Sequence, residues 1–305
     1  MKSSVKNNTL RRMLTQWQLY ALILPAVIYL FLFNYMPMYG VQIAFKDFRV
    51  GRGIWASEWV GLKHFIAFIN FPGFYNIMRN TVRISLYSFA TFPLSIILAL
   101  MLNEVENQPF KKTVQMITYA PYFISVVVIC SMITLFLNRS GGIVNNFVEL
   151  FGGERIPFLE IPSYFASIFV WSDVWQGIGW GTIIYLAALS SVSPELIEAA
   201  RIDGATRFKI IRHVNIPAII PTIVIILILR CGSILSVGFD KAFLLQNPLN
   251  LEASQVISTY VYEIGLLNSR HSYSSAIGLF NTVINITFML IVNGVSKRVA
   301  DVSLW

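Results

Sequence analysis

The sequence has 305 residues, of which 56% are hydrophobic and only 12% are charged. Soluble globular domains carry about 25% charged residues, so this composition excludes a soluble protein and indicates an integral membrane protein. The net charge of +8 does not indicate a nucleic-acid-binding protein, because the basic residues are scattered and form no basic stripe or recognition motif. Cys130 and Cys231 fall within apolar runs, so neither a disulfide framework nor a metal site is expected.

Six apolar runs are long enough, at about 20 residues each, to cross a hydrocarbon core of about 30 Å as helices. Each should be helical, because an open strand in lipid would leave its backbone groups unpaired. The sequence therefore predicts an all-α integral membrane protein, with a short N-terminal segment, residues 1–17, followed by one six-span domain, residues 18–305. The predicted spans are 18–38, 84–102, 114–137, 165–189, 218–237 and 274–295.

The distribution of Lys and Arg sets the predicted orientation. If the N-terminus is cytoplasmic, the cytoplasmic segments carry twelve basic residues and the external segments nine, five of them in the segment 40–79. A long loop constrains topology less than short ones do, and the short loops 103–113 and 190–217 both fall on the cytoplasmic side. We therefore expect a multi-pass protein of the cell membrane, with both termini in the cytoplasm.

Three external segments join the predicted spans, at 40–79, 138–164 and 238–273. The first is rich in Phe and Trp, which indicates either an aromatic belt at the membrane interface or a lid or receptor contact. The third begins directly after the fifth apolar run. It is expected either to fold over the outer mouth of the bundle or to form a plain turn in which Asp240 and Lys241 are solvated.

The polar stretch 193–217 lies between two apolar runs and must leave the bilayer. Ser193 suits a helix N-cap, glycine relaxes the backbone at Gly204, and Pro217 is expected to end the helix. Two short helical pieces bent near Gly204 are predicted. Small alanine side chains would let the groove of another protein approach the backbone closely, but an ordinary loop helix or an amphipathic helix lying on lipid fits the residues equally well.

Two charged residues fall within predicted spans, Asp173 and Arg230. A charge there costs at least about 2.5 kcal/mol, so such a residue usually faces the bundle interior or a watery path. Trp rings stack on sugars, and carboxyl and amide groups bind sugar hydroxyls, so Asp173, Trp175, Gln176 and Arg230 are predicted to contribute to a sugar path. Alternatively, Asp173 lies near the outer end of its span and Arg230 pairs with a carboxylate of a partner subunit.

The same predicted span carries two further features. Trp171 and Trp180 either line the path or anchor the helix at the lipid interface. The Gly177-x-x-x-Gly181 spacing permits close approach of another helix.

Catalytic motifs are missing from the sequence. No Gly-x-x-x-x-Gly-Lys-Ser/Thr loop is present, so the chain is not expected to hydrolyse ATP by that route. His64, His213 and His271 are scattered, without metal-ligand spacing or an evident nucleophile. The chain is therefore not expected to be an enzyme, and the energy for any active transport must come from elsewhere.

The polar stretch resembles the EAA loop of permease subunits of ATP-binding-cassette importers, in Glu198-Ala199-Ala200, Gly204 and Val214-Asn-Ile216-Pro217. Val214 and Ile216 stand where that family usually has Ile and Leu. Along nearly the whole chain, the sequence is similar to the polysaccharide-type sugar permeases often called LplB-like. The further segments that carry this similarity are 58–63, 100–104, 119–125 and 303–305.

This resemblance implies a type I importer permease of six membrane helices, embedded in lipid, with a cytoplasmic coupling helix in the loop 190–217. The implied partners are a second, similar permease, two cytoplasmic ATPase subunits that bind ATP and Mg²⁺, and an extracellular solute-binding protein that delivers an oligosaccharide. No cofactor is implied in this chain. A Gly-Phe-Asp segment is frequent at the outer gate of the family, which adds Asp240 to the predicted path. The residues implied in ATPase coupling are Glu198, Ala199, Ala200, Gly204 and Ala205.

Two other functions remain possible on the residues alone. An ion-coupled secondary transporter would need carboxylates embedded in the membrane or discontinuous helices around a central site, and Asp173 is the one candidate carboxylate. A membrane-embedded enzyme should show clustered His, Asp or Glu on facing spans, which the sequence lacks.

Overall fold

The computed structural model describes residues 15–304, so most of the predicted N-terminal segment and Trp305 lie outside the described residues. Two 3₁₀ helices, Tyr39–Phe45 and Ala120–Phe123, and three π-helical turns, Phe31–Tyr35, Ile211–Asn215 and Glu263–Leu267, connect α-helices in this part of the chain. The α-helices are α1 Trp17–Leu30, α2 Met36–Met38, α3 Lys63–Ile69, α4 Phe74–Ala90, α5 Pro93–Glu104, α6 Gln108–Tyr119, α7 Val126–Phe136, α8 Ile143–Leu150, α9 Pro162–Ser190, α10 Pro194–Ile202, α11 Arg207–Ile210, α12 Ile216–Cys231, α13 Phe239–Leu245, α14 Leu251–Ser254, α15 Ile257–Tyr262 and α16 His271–Ala300.

The predicted all-helical membrane architecture is confirmed. Four continuous helical segments are long and apolar enough to cross a membrane, and two bent pairs raise the number of candidate spans to six. The continuous segments are Trp17–Phe45, Phe74–Glu104, Arg207–Cys231 and His271–Ala300. The bent pairs are Gln108–Phe123 with Val126–Phe136, at 101°, and Pro162–Ser190 with Pro194–Ile202, at 74°.

The third predicted span, 114–137, is not one helix as expected. The chain turns sharply between the 3₁₀ helix that ends at Phe123 and α7, because Ile124 and Ser125 both adopt extended backbone conformations. The Ser125 hydroxyl accepts a hydrogen bond from the Val128 N–H at 3.4 Å, which caps the new helix. Irregular backbone at membrane depth is tolerated where protein or water covers it.

The fifth predicted span, 218–237, is misplaced. The helical segment runs over Arg207–Cys231, so it begins in the polar stretch and ends six residues early. Pro217 does not end a helix, contrary to the prediction. It is the second residue of α12, which follows the π-helical turn Ile211–Asn215; the regular hydrogen-bond pattern is interrupted there, and a missing N–H is accommodated.

The segment 40–79, predicted to be external, contains the one pair of strands in the described chain, β1 (Lys46–Asp47) and β2 (Glu58–Trp59), which are antiparallel with Lys46 opposite Trp59. Its aromatic side chains do not form a uniform interfacial belt. Phe68 is buried in a cluster with Ile77 and Tyr260, whereas Trp59 is exposed and stacks on Phe45. The segment is therefore partly a small external core.

Helix α9 is the centre of the bundle. It supplies Phe165 and Phe169 to one buried cluster and Tyr185 and Leu189 to another, near its two ends. In contrast, no residue of α1, Trp17–Leu30, is buried within this chain.

The close helix approach expected at Gly177 and Gly181 is found at Gly181 but not at Gly177, and Gly179 makes a second close approach. A Cβ at Gly179 would collide with the Thr118 carbonyl of α6, and one at Gly181 would lie 2.6 Å from the Ser95 hydroxyl of α5. Nothing lies within 4 Å of the corresponding position at Gly177. The tight packing of α9 against α5 and α6 thus depends on Gly179 and Gly181.

Candidate functional site

The guanidinium group of Arg230 is held by a break in the second span. Pro93 begins α5, and the Phe92 N–H bonds to the Phe89 carbonyl, so the Ser88 carbonyl has no regular helical donor. Arg230 Nη2 donates to this carbonyl at 2.8 Å. The guanidinium carbon also lies 5.7 Å from the centre of the Phe92 ring, within range of a cation–π contact.

Asp173 forms an ion pair that the sequence interpretation missed. Lys241 Nζ of α13 donates to Asp173 Oδ1 at 2.6 Å, and its ammonium group lies 5.4 Å from the centre of the Phe169 ring. The Lys241 side chain is only 5% exposed, whereas that of Asp173 is 47% exposed. Lys241 is therefore not solvated, and the alternative of a plain turn is wrong. The signal available in the sequence was the unpaired intramembrane carboxylate, which needed a cation.

Three adjoining cavities share Arg230 in their walls. The first, of about 190 Å³, is lined in part by residues at and just beyond the C-terminal end of α12, including Gly238. The second, of about 440 Å³, shares Ser88, Asp173 and Arg230 with the first. The third, of about 540 Å³, is mostly apolar, and Ser95 and Gly181 connect it to the second. Arg230 thus lies where the three cavities meet.

Two hydroxyl groups in these walls are buried without a hydrogen-bond partner among the described residues. They are Ser85 Oγ in the first cavity and Tyr185 Oη in the third. Buried polar groups are normally satisfied. These two groups can therefore bond to a polar molecule inside the bundle, and they lie in cavities on either side of the second one.

The second cavity also contains amide and aromatic groups. Gln176 Nε2 donates to the Ile124 carbonyl at 3.2 Å, a group exposed by the break in the third span. Tyr122 stacks on Trp180 with the ring centres 4.4 Å apart and the planes 2° from parallel. Trp180 is therefore not simply a lipid anchor, because one face of its ring is covered by a residue of the cavity wall.

The predicted path residues are only partly brought together. Asp173, Gln176 and Arg230 line the same cavity. Trp175 is exposed and lines none of the three cavities. Asp240 is also exposed, and it is the neighbouring residue Lys241 that contacts Asp173. The substrate role of all these residues stays a prediction.

The polar stretch folds as predicted into two short helices, α10 and α11, bent at Gly204. Ser193 Oγ accepts from the Glu195 N–H at 3.3 Å, and Thr206 Oγ1 accepts from the Lys209 N–H at 3.4 Å, so each helix begins at a hydroxyl cap. Gly204 has φ of +78°, a conformation that other residues adopt only with strain.

The surface of this stretch is open. No residue of α10 is buried, and Glu198 and Ala199 are exposed, while Ala200 and Ala205 are partly covered. Ile202 is 87% exposed. Leu196 and Phe208 are also exposed in this stretch. Large apolar side chains exposed among charged residues are typical of an interaction surface.

Two polar contacts connect this stretch to the loop between the second and third spans. Arg207 Nη2 donates to Glu106 Oε1 at 3.0 Å, on the protein surface. Asn215 Nδ2 donates to Glu104 Oε1 at 3.3 Å, next to the π-helical turn. The stretch is therefore hydrogen-bonded to the C-terminal end of α5 and to the loop that follows it.

In residues 15–304 no three His, Cys, Asp or Glu side chains are placed to hold a metal ion. His64 Nε2 lies 3.1 Å from the Lys46 carbonyl and His213 Nδ1 lies 3.0 Å from the Lys209 carbonyl. Both contacts are local to the fold.

Comparison with known families gives a match over residues 91–301, to the family described as "Binding-protein-dependent transport system inner membrane component". The chain is 40% identical over 305 residues to the polygalacturonan/rhamnogalacturonan transport system permease protein YteP of Bacillus subtilis, which covers all of this chain and 95% of the relative. It is 41% identical over 281 residues to protein LplB of the same organism, covering 92% of this chain and 88% of the relative.

Solved structures give the same architecture. A chain from the crystal structure of a bacterial ABC transporter involved in import of the acidic polysaccharide alginate superimposes with a TM-score of 0.88 at 38% identity, covering 96% of this chain and 99% of that chain. A second structure of the alginate transporter, in complex with alginate pentasaccharide-bound periplasmic protein, matches equally well.

Proposed function

The chain belongs to the family of binding-protein-dependent transport system inner membrane components, and we propose that this importer permease carries oligosaccharides. It has the membrane fold of a type I ATP-binding-cassette importer permease. The observation that carries the substrate class is the 440 Å³ cavity, whose walls contain Asp173, Gln176, Arg230 and the ring of Tyr122, which stacks on Trp180 of the adjoining third cavity. Relatives named for polygalacturonan, rhamnogalacturonan and alginate support the same class.

The proposed assembly contains a second, similar permease, two ATPase subunits and an extracellular binding protein. The alginate transporter with its sugar-bound periplasmic protein supports the last of these partners. ATP and Mg²⁺ would bind the ATPase subunits, since this chain has no phosphate-binding loop motif. Both termini would lie in the cytoplasm, on the same side as α10.

The proposed coupling contact is the exposed α10 with the turn at Gly204. Glu198 and Ala199 present a charge and a small side chain to solvent, and the bend at Gly204 places Ala205 beside them. An ATPase cleft could therefore approach the backbone of Ala199 and Ala200 closely. Closure of the ATPase pair would displace α10 and, through Arg207 and Asn215, the inner ends of the bundle.

Transport then requires that ATP and substrate favour different arrangements of the bundle. A ligand shifts a conformational equilibrium only by its differential affinity for the two states. ATP must therefore bind the outward-open assembly more tightly than the inward-open one, and hydrolysis resets the assembly. In this proposal Asp173, Gln176 and Arg230 line the path, while Trp175 and Asp240 would reach a substrate only after rearrangement.

An ion-coupled transporter acting alone is less well supported. Its one candidate carboxylate, Asp173, is already paired with Lys241 at 2.6 Å, so it is not a free ion-binding group in this conformation.

The proposed function is tested by purifying the tagged chain from its native membrane and identifying the proteins that remain bound. We expect a second permease and an ATPase, with ATP hydrolysis stimulated by binding protein loaded with oligosaccharide. Recovery of the chain alone, with uptake that persists without ATP and collapses with the ion gradient, would contradict the proposal.

A further inference from the structure

We propose that Arg230 binds a carboxylate of the substrate, so that this permease takes uronate-containing, acidic oligosaccharides rather than neutral ones. The inference deepens the proposed oligosaccharide function and rests on it. It identifies Arg230 as the side chain that distinguishes acidic from neutral substrates.

The charge balance of the cavities leads to this inference. Asp173 and Arg230 are the charged residues in the walls of the three cavities. Asp173 is neutralised by Lys241 at 2.6 Å, whereas no carboxylate of residues 15–304 lies within 4.0 Å of Arg230. The cavity system therefore carries one uncompensated positive charge. A charge within a membrane span is costly unless it is paired, so an anion is the missing partner.

The geometry of Arg230 leaves donors free for that anion. A guanidinium group has five N–H donors in a planar fork, and the described protein contacts of Arg230 are one carbonyl, that of Ser88, and the face of Phe92. These contacts fix the orientation of the group without neutralising it. A planar carboxylate matches the remaining edge of the fork, because Arg binds carboxylates through two parallel hydrogen bonds.

The surroundings of Arg230 fit a sugar acid better than an inorganic anion. Ser85 Oγ and Tyr185 Oη are buried without partners, in the first and third cavities. Both cavities adjoin Arg230, so sugar hydroxyls on either side of a bound carboxylate would have hydrogen-bond partners. The second and third cavities, of about 440 and 540 Å³, also lie within the size range of about 300–1,000 Å³ that is usual for ligand sites.

The inference is tested by measuring ligand binding to the purified importer complex in lipid nanodiscs, without the binding protein, whose own selectivity would mask that of the permease. The probes are trigalacturonate and its methyl ester, which have the same length but differ in charge. The variants are Arg230→Gln and Arg230→Lys. Arg83→Gln is the matched control, since Arg83 is exposed in the same region and lines none of the three cavities.

We expect the wild-type complex to bind the acid about tenfold to hundredfold more tightly than the ester, the range of a charge-assisted hydrogen-bonded pair. Arg230→Gln should abolish this preference, Arg230→Lys should retain part of it, and Arg83→Gln should leave it unchanged. ATPase activity and subunit composition of each variant report whether the complex is intact.

Three results would overturn the inference. If Arg230→Gln still bound the acid more tightly than the ester, another residue would be responsible for recognising the substrate charge. An equal affinity of the wild type for acid and ester, or no binding of either, would remove the anion site. Loss of the second permease from Arg230→Gln would show that Arg230 pairs with a carboxylate of that subunit. In each case, ATP-dependent uptake of an oligosaccharide by the wild type would still support the proposed function.

Discussion

The chain has two polar regions that are built in opposite ways. The proposed coupling stretch 193–217 is continuous in sequence and mostly open to solvent, and each of its two short helices begins at a local hydroxyl cap. The cavity system is assembled from side chains between Ser85 and Lys241, and its charges are held by distant partners. In the proposed assembly the first region meets an ATPase subunit, whereas the second region is held by contacts within the bundle. Substitutions should therefore impair docking in the first and stability or ligand binding in the second.

The largest effect is expected from Gly204→Trp. A non-glycine residue at φ of +78° is strained by about 1–3 kcal/mol, and the bulky ring would block close approach at the centre of the docking surface. We expect loss of ATPase association and of nearly all coupled uptake, with normal membrane insertion. Uptake and co-purification measure the two effects.

Gly53→Trp is the matched control for that substitution. Gly53 also has a positive φ, +69°, and open space around its Cβ position, but it lies in the external segment 40–79. Coupled uptake should survive there. If both variants lost coupled uptake equally, backbone strain would be the cause of the defect. Normal uptake by Gly204→Trp would contradict the proposed role of Gly204 in ATPase coupling.

The next effect concerns the ion pair at the cavity. Asp173→Asn leaves the ammonium group of Lys241 buried without a counter-charge, which costs about 3 kcal/mol of unfolding free energy. Lys241→Met should cost less, because Asp173 is 47% exposed and its carboxylate can be hydrated. Thermal unfolding of the purified complex gives the order of stability.

The double variant Asp173→Asn/Lys241→Met checks the reason for this asymmetry. It removes both charges and should be more stable than Asp173→Asn alone, since no unpaired charge remains. If Asp173→Asn and Lys241→Met lose the same stability, burial of Lys241 is not the cause.

The same contrast explains what could be predicted from the sequence. The bend at Gly204 and the cap at Ser193 were predictable because they depend on neighbouring residues, and the spans were recognisable by their apolar length. The partner of Asp173 and the Gln176 amide that bonds to the Ile124 carbonyl lie more than 50 positions away in sequence, so no local pattern contains them. The prediction that Pro217 ends a helix was wrong because a π-helical turn precedes it and allows the helix to continue. No pattern in the sequence indicates that turn.

A smaller effect should distinguish the glycines of α9. Gly179→Ala places a methyl group against the Thr118 carbonyl, and overpacking of this kind costs about 1–3 kcal/mol. Gly177→Ala meets open space and should change stability by no more than about 0.5 kcal/mol. Denaturation of the two variants side by side measures the difference. Equal destabilisation would show that α6 does not pack on α9 at Gly179.

The smallest effect is expected from Glu106→Gln, which breaks the ion pair with Arg207 beside the coupling stretch. The side chains of Arg207 and Glu106 are 69% and 76% exposed, so both remain hydrated when the pair is broken, and the loss should stay below about 1 kcal/mol. The 3.0 Å distance between Arg207 and Glu106 is close to the 2.6 Å between Lys241 and Asp173, so burial rather than contact distance should separate the two pairs. Unfolding measured at low and high salt tests this directly. A loss as large as that of Asp173→Asn would mean that solvent does not screen the coupling surface, and the contrast between the two polar regions would fail.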